Sequence, residues 1–568
     1  MLFKLFLHFF IFSLVYKKII YICRRLIILK NNIMKKHLSK LLLLGVVAFF
    51  FVSCVEEEDF FEQDYPTTSF KTTVVENGST VLGIKLPNPY SVTNMRNALN
   101  NLREDYGMEL NIEIEPTDYY VRFLPQDLSQ YDKLASDTNL LLFDYPLDYE
   151  IRTLGDYYHD PLIPDTCYTW QYATVPVDYV FNNDIRYEIL DTCYIPDDTD
   201  ESQITDYDIL EQNSFFILGL REYVLENKDI QTRALWGNGK KPEGYYKVYN
   251  TEDCVYEPVK QARAVCHTIV KNTSATINYS NGYYKMNKKF STNLYYKIKW
   301  SNPKGFRLHY PITVAVSNFG VHGKSGYSKN IDFATNAGRL ATINNAAVEY
   351  YNICSNTNIL PPPSDLKIFF TGDSWGSSAP MLTRVTHPIL FNGNNPWYAF
   401  FENLFLSPFL GTAQSICSLI GPDITIVSST SSSRMFRTVW HELSHASHFA
   451  KVGSQYWSEY ISYIITFDTY GEITDNNSGV CGVGEMWASA ATAHYMKIYK
   501  NITIGVANDW YKPEILRDLM RDNILTNTQI FNCLNSDIRS HQQLKVALKN
   551  AYPEKSRIIE SKFNQYGF

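Results

Sequence analysis

His441, Glu442 and His445 stand in the stretch Val439-Trp440-His441-Glu442-Leu443-Ser444-His445-Ala446-Ser447-His448, the H-E-x-x-H arrangement. On a helix, positions i and i+4 share a face one turn apart, so two imidazoles there can grip one Zn²⁺ while the intervening glutamate sits beside the metal's open position. At 100° per residue, Phe436, Val439, Trp440, Leu443, Ala446 and Ala450 form one wide apolar face. His441, His445 and His448 fall opposite it, within about 60° of one another. The spacing therefore predicts a helix that buries one stripe and turns its imidazoles to a cleft.

A catalytic zinc site takes three protein ligands and keeps one position for water. Four residues compete for the third place. Glu485, in Cys481-Gly482-Val483-Gly484-Glu485-Met486-Trp487-Ala488, is preferred, because it opens a helical stretch running to about Lys500 behind a glycine-rich turn. A carboxylate in the first turn of a second helix can cross beside the metal. Asp468, Glu459 and His448 remain as alternatives, with His448 better suited to supporting or packing against the site. Gly and His at the seventh and tenth positions after the first histidine would mark a metzincin; His448 and Lys451 stand there instead, which excludes that class.

The order "HELSHASH … GVGEMWA" resembles the gluzincin branch of zincin metallopeptidases, over roughly residues 420–500. The resemblance implies that His441, His445 and Glu485 bind Zn²⁺, that Glu442 is the general base, and that a peptide or protein is the substrate. Thermolysin-type relatives carry Asp four residues after the ligand glutamate; Ser489 stands here, which leaves the residue that orients a ligand unidentified. Candidates to support the site or to donate to an oxyanion are His448, Tyr470, Tyr460 and His494.

The elements that must position these residues come from a chain of 568 residues, 45% hydrophobic and 20% charged, long enough for several domains and ordinary for a globular protein. Residues 1–53 hold nine Lys/Arg and no acid. Taking those nine from 52 leaves 43 basic against 59 acidic side chains, a balance that argues against nucleic acid as a partner. Met34-Lys35-Lys36-His37-Leu38-Ser39-Lys40 reads as the basic start of a secretion signal, with Met34 the expected first residue. The apolar run Leu41–Phe51 is too short to span a bilayer. Phe51-Val52-Ser53-Cys54, followed by Glu56-Glu57-Glu58-Asp59, resembles the lipobox and export tract of surface lipoproteins of Gram-negative bacteria. That resemblance implies lipidation at Cys54 and anchoring in the outer membrane at the cell surface. A membrane-spanning start from Met1 is the competing reading.

Residues 54–75 then form a tether and 76–239 an α+β region. A helix is expected from Ser91 to Tyr106 (Met95, Leu99, Leu102), and strands at 119–123, 140–143 and 175–179. Pro176 restricts the last to a sheet edge. The acidic loop 197–201 lacks the glycine and spacing of a calcium loop. Residues 240–315 alternate like sandwich strands, and "PVKQA … NGYY … YYKIKW" resembles the carboxypeptidase-regulatory-like β-sandwich, with Gln261 where that family has glycine. Residues 316–568 complete the chain as a mainly helical zincin-like domain, with a helix over 336–353, strands at 366–370 and 423–427, and Ser/Thr 428–433 to cap the motif helix. The expected class is multidomain α+β. Cys254 and Cys266 are placed to face each other across a hairpin, and no CxxC pair offers a thiolate metal site.

Two other functions fit these features. A surface lipoprotein that binds glycan or protein would use aromatics such as Trp397-Tyr398-Ala399-Phe400-Phe401 around a structural or inactive zincin domain. Alternatively, 76–235 would serve as an inhibitory pro-region. An intact Glu442 favours hydrolysis over pure binding, since binding gives that carboxylate no chemical task.

Overall fold

The computed structural model describes residues 72–568, apart from Asn77, 165–166, 225–235, 311–312, 373–375, 386–420, 468–469 and 507–508. The leader, Cys54, Asp468, Cys417 and the aromatic run 397–401 therefore lie outside the described residues. The fold is mixed α+β, with several small sheets and ten helices among the described residues.

The first region sets strands β1 (Thr73–Val74), β2 (Val81–Lys85), β3 (Asp118–Leu124), β4 (Tyr149–Leu154), β5 (Gln171–Pro176) and β6 (Arg186–Cys193) in two three-stranded sheets, ordered β1-β4-β2 and β5-β3-β6. Helix α1 (Val92–Tyr106) starts where Ser91 accepts a hydrogen bond from the Asn94 N–H and stops at Gly107, whose φ of 64° is left-handed. Met95, Leu99 and Leu102 are buried along one stripe of α1. Residues 140–143 are buried but form no strand; only Phe143 bridges to Tyr172. Strand β5 ends at Pro176 on a sheet edge, where a missing N–H is tolerated. Helices α2 (Leu128–Ser136) and α3 (Asp206–Ile217) complete the region.

The middle of the chain forms two four-stranded sheets. One contains β7 (Glu243–Asn250), β8 (Val255–Pro258), β11 (Tyr283–Lys285) and β16 (Lys329–Ile331); the other runs β10 (Asn272–Thr276), β9 (Arg263–His267), β12 (Leu294–Lys299), β15 (Val316–His322). The run 258–265 is broken between β8 and β9 at Gln261, whose φ is 57°. That conformation favours glycine. Strands on both sides of residue 315 share these sheets, whereas β13 (Ser301–Asn302) and β14 (Phe306–His309) leave them to pair with β17 (Leu366–Phe370) and β18 (Ile424–Ile426) in the order β13-β14-β17-β18. Among the described residues, one apolar cluster joins side chains from Tyr246 to Phe563, on both sides of residue 315. The Cys254 and Cys266 thiols are free, the first exposed in a turn and the second buried in the core.

The helical region contains α4 (Asn336–Thr357), α5 (Ser432–Phe467), α6 (Ser478–Lys500), α7 (Glu514–Arg521), α8 (Asn527–Cys533), α9 (His541–Ala551) and α10 (Ser556–Gln565). The start of α5 is capped partly from afar. The Ser431 hydroxyl accepts from the Arg434 N–H, while Glu252 accepts from both the N–H and the hydroxyl of Ser433. A carboxylate there also complements the positive end of the helix dipole. Gly453 divides α5 into two arms: its φ of 84° and ψ of 176° are not helical and lie in a region essentially closed to other residues. Gly453→Ala should therefore cost about 1–3 kcal/mol of stability, read as a lower denaturation midpoint in urea with an unchanged slope.

Candidate metal centre

The first arm of α5 is held on its apolar side by α4: the Trp440 indole N–H donates to the Ala346 carbonyl at 2.9 Å, and Tyr350 and Ser447 share a hydrogen bond at 3.0 Å between their hydroxyls. Beyond Gly453 the second arm brings Tyr456, Trp457 and Tyr460 back against the first, with the Trp457 ring 6.0 Å from that of His445. The Trp457 N–H is tied to the Ala379 carbonyl at 3.0 Å. Helix α6 closes the other side. Its glycines make no turn, contrary to expectation; they lie within its first two turns and allow close packing. A Cβ on Gly484 would meet the Tyr460 ring at 3.1 Å, and one on Gly482 would meet Trp510 at 2.7 Å. Glu485 is accordingly the eighth residue of α6, not part of its first turn.

This packing brings together His441, His445 and Glu485, whose ligand atoms lie within 4.8 Å of one another and could hold a metal ion. The two Nε2 atoms are 3.2 Å apart, Glu485 Oε2 is 3.5 Å from His441 Nε2, and Glu485 Oε1 is 3.3 Å from His445 Nε2. Lone pairs converging at such distances repel unless a proton or a cation lies between them. His445 and Glu485 are buried, and the cluster opens to solvent at His441, whose side chain is 22% exposed. Burial alone would raise the Glu485 pKa, but the His445 and His441 imidazoles hold it well below the usual carboxylate range. For His441 burial acts downward, yet hydrogen bonding to Glu485 and the charges of Glu442 and Glu485 bring it above the ordinary imidazole value. Glu442 is buried next to the cluster; that burial raises its pKa, and the histidine charges only partly offset it.

Tyr460 donates its hydroxyl to Glu485 Oε1 at 2.6 Å. It therefore orients the Glu485 carboxylate. No short motif marks it. Its only trace is the helical spacing of Tyr456, Trp457 and Tyr460. The Tyr470 phenol lies within the field of Glu485 and Glu442, which raise its pKa together with burial. The Tyr470 carbonyl accepts from the Tyr463 hydroxyl and the Trp510 N–H, fixing its backbone beside the cluster.

The remaining candidates are elsewhere. His448 is buried beneath the Tyr456 and Trp457 rings and does not face the cleft, and neither of its nitrogens finds a partner among the described residues. Burial, reinforced by the charges of His445 and Lys451, lowers its pKa to about 3. The second arm and α6 enclose the helix face that the periodicity assigned to a cleft. His494 is nine residues past Glu485 on α6, about 13 Å along the axis. Glu459 is paired with Arg539.

No protein-family model, curated protein or solved structure matches the chain. Among the described residues, no helix is long and apolar enough to cross a membrane.

Tyr460→Phe should keep the fold and weaken metal binding by roughly 10-fold or more, as measured by competition with a chelating dye. Because ligands must be deprotonated to bind a metal, the raised His441 pKa predicts that metal is lost on acidification from above the ordinary imidazole range. Glu442→Gln removes one of the charges that raise His441 and should move the midpoint of that loss to lower pH.

Proposed function

We propose that the chain is a zinc-dependent metallopeptidase of the gluzincin type, with His441, His445 and Glu485 as ligands and Glu442 as general base. The observation that carries this reading is the convergence of two imidazole nitrogens and a buried carboxylate, with a second buried carboxylate next to them. Donors about 2.0–2.1 Å from a tetrahedral ion are about 3.3 Å from each other, and the separations of 3.2, 3.3 and 3.5 Å fit that edge. The mixed nitrogen and oxygen donor set suits zinc.

Zinc bound there would supply Lewis acidity toward a carbonyl oxygen and toward water. Glu442 accepts the proton of the attacking water and delivers it to the departing amine; its raised pKa suits a group that must both take and return a proton. Glu485 supplies the negative charge that balances the ion, and Tyr460 holds its carboxylate in place. We assign the Tyr470 hydroxyl, which lies within the field of Glu485 and Glu442, as the donor to a developing oxyanion.

We extend the proposal to location and organisation. The basic, apolar and Cys54 sequence over 34–59 supports a lipid anchor in the outer membrane, with the chain facing outward. The region 76–239 and the sandwich serve as accessory domains to the helical one, which fits their lack of a comparable cluster among the described residues.

Wild-type protein should contain about one zinc per chain and cleave a fluorogenic peptide library. His441→Ala should lose the metal, while Glu442→Gln should retain it and lose at least 10²-fold in kcat. Full hydrolysis by Glu442→Gln would sink the mechanism.

A further inference from the structure

A second charged site lies between the first region and the outer face of the β9–β12 sheet. Side chains alternate along a strand, so Arg263, Val265 and His267 share one face of β9, and Tyr295, Lys297 and Lys299 share the same face of β12. Arg263 lies directly opposite Lys299, and like charges so placed repel. The face is covered: Lys299 is 9% exposed and donates to the Leu142 carbonyl at 3.2 Å, and Lys297 sits 4.1 Å from the centre of the Phe143 ring. Arg307 of β14 adds a fourth cation, within the field of Lys299.

Next to this cluster is a cavity of about 390 Å³ lined by Arg263, Arg307, Ser274, Thr276 and Ser301 among others. Two acids also line it: Asp137 is already engaged by the Asn139 N–H and the Tyr179 hydroxyl, and Asp365 is exposed. Arg307 is 5% exposed, and its Nε and Nη1 groups have no partner among the described residues. Its Nη2 reaches Asp132 at 3.3 Å, but Lys367 claims the same carboxylate. Buried N–H groups are normally satisfied, and a guanidinium left with two open donors in a cationic surrounding lacks an acceptor. Burial, then the charges of Arg263, Lys297 and Arg307, push the Lys299 pKa down to about 7 against the pull of Asp144, so these cations lie close enough to oppose one another.

We propose that this cavity binds a phosphate-type dianion, with Arg263 and Arg307 as its charged donors and the hydroxyls of Ser274, Thr276 and Ser301 as its neutral ones. Two guanidinium groups and a ring of hydroxyls match the charge and the several acceptor oxygens of a phosphate. The cavity has room for a phosphorylated small molecule as well as the bare ion. The site uses none of the residues of the metal centre and stands apart from the hydrolytic reading.

The test is calorimetric titration of inorganic phosphate, and separately of acetate, into the full-length chain carrying His441→Ala, so that phosphate bound to a metal does not register. Saturable binding of phosphate at a stoichiometry of about one, at least 10-fold tighter than acetate, is the expected result. Adding Arg263→Gln should weaken it at least 10-fold, and Arg307→Lys, which keeps the charge but loses the planar donors, should weaken it measurably. Absence of saturable phosphate binding, equal affinity for acetate, or binding unchanged by Arg263→Gln would overturn the proposal.

Discussion

The buried charge of Glu485 constrains everything around it. A carboxylate at 2% exposure is costly to ionise unless cations and hydrogen bonds compensate it. Here two imidazoles and the Tyr460 hydroxyl converge on it, and the result is a carboxylate that stays charged in the interior. The same interaction raises the His441 pKa, and the three groups stand close enough together to hold a metal ion.

Bringing that carboxylate to the histidines requires two relaxations of ordinary backbone and packing rules. Gly453 bends α5 so that its second arm returns Tyr460 and Trp457 to the first, through a conformation that a Cβ would forbid. Gly482 and Gly484 remove side chains from α6 where Trp510 and Tyr460 press against it. Glycine within a helix costs about 0.5–1 kcal/mol relative to alanine, and here that cost allows the two helices to approach closely enough for Glu485 and Tyr460 to meet. Trp440 and Tyr350 then lock the first arm against α4, so that the imidazoles sit on a rigid element.

The charged cavity beside β9 and β12 has the opposite make-up. The candidate metal centre sets carboxylates beside two imidazoles; along the covered sheet face, Arg263, Lys299 and Arg307 bring cations close together. Both clusters are largely buried, and each joins separate elements of the fold.

What sequence alone could determine was local. The i, i+4 spacing of His441 and His445, the capped stripe of α1 and the strand runs of β3, β7, β12 and β17 depend on neighbours within one or two turns, and periodicity reports those directly. Glu485 was legible as a carboxylate on a following helix, though its glycines were read as a turn. Residue type alone does not separate a glycine that bends the chain from one that makes room for a ring. Periodicity also turned His448 toward a cleft, because it cannot show that a kink at Gly453 will cover that face. The role of Tyr460, the pairing of Glu459 with Arg539 and the shared sheets across residue 315 were decided only by tertiary structure. Each depends on contacts between residues distant in the chain, which the order of side chains along it does not encode separately.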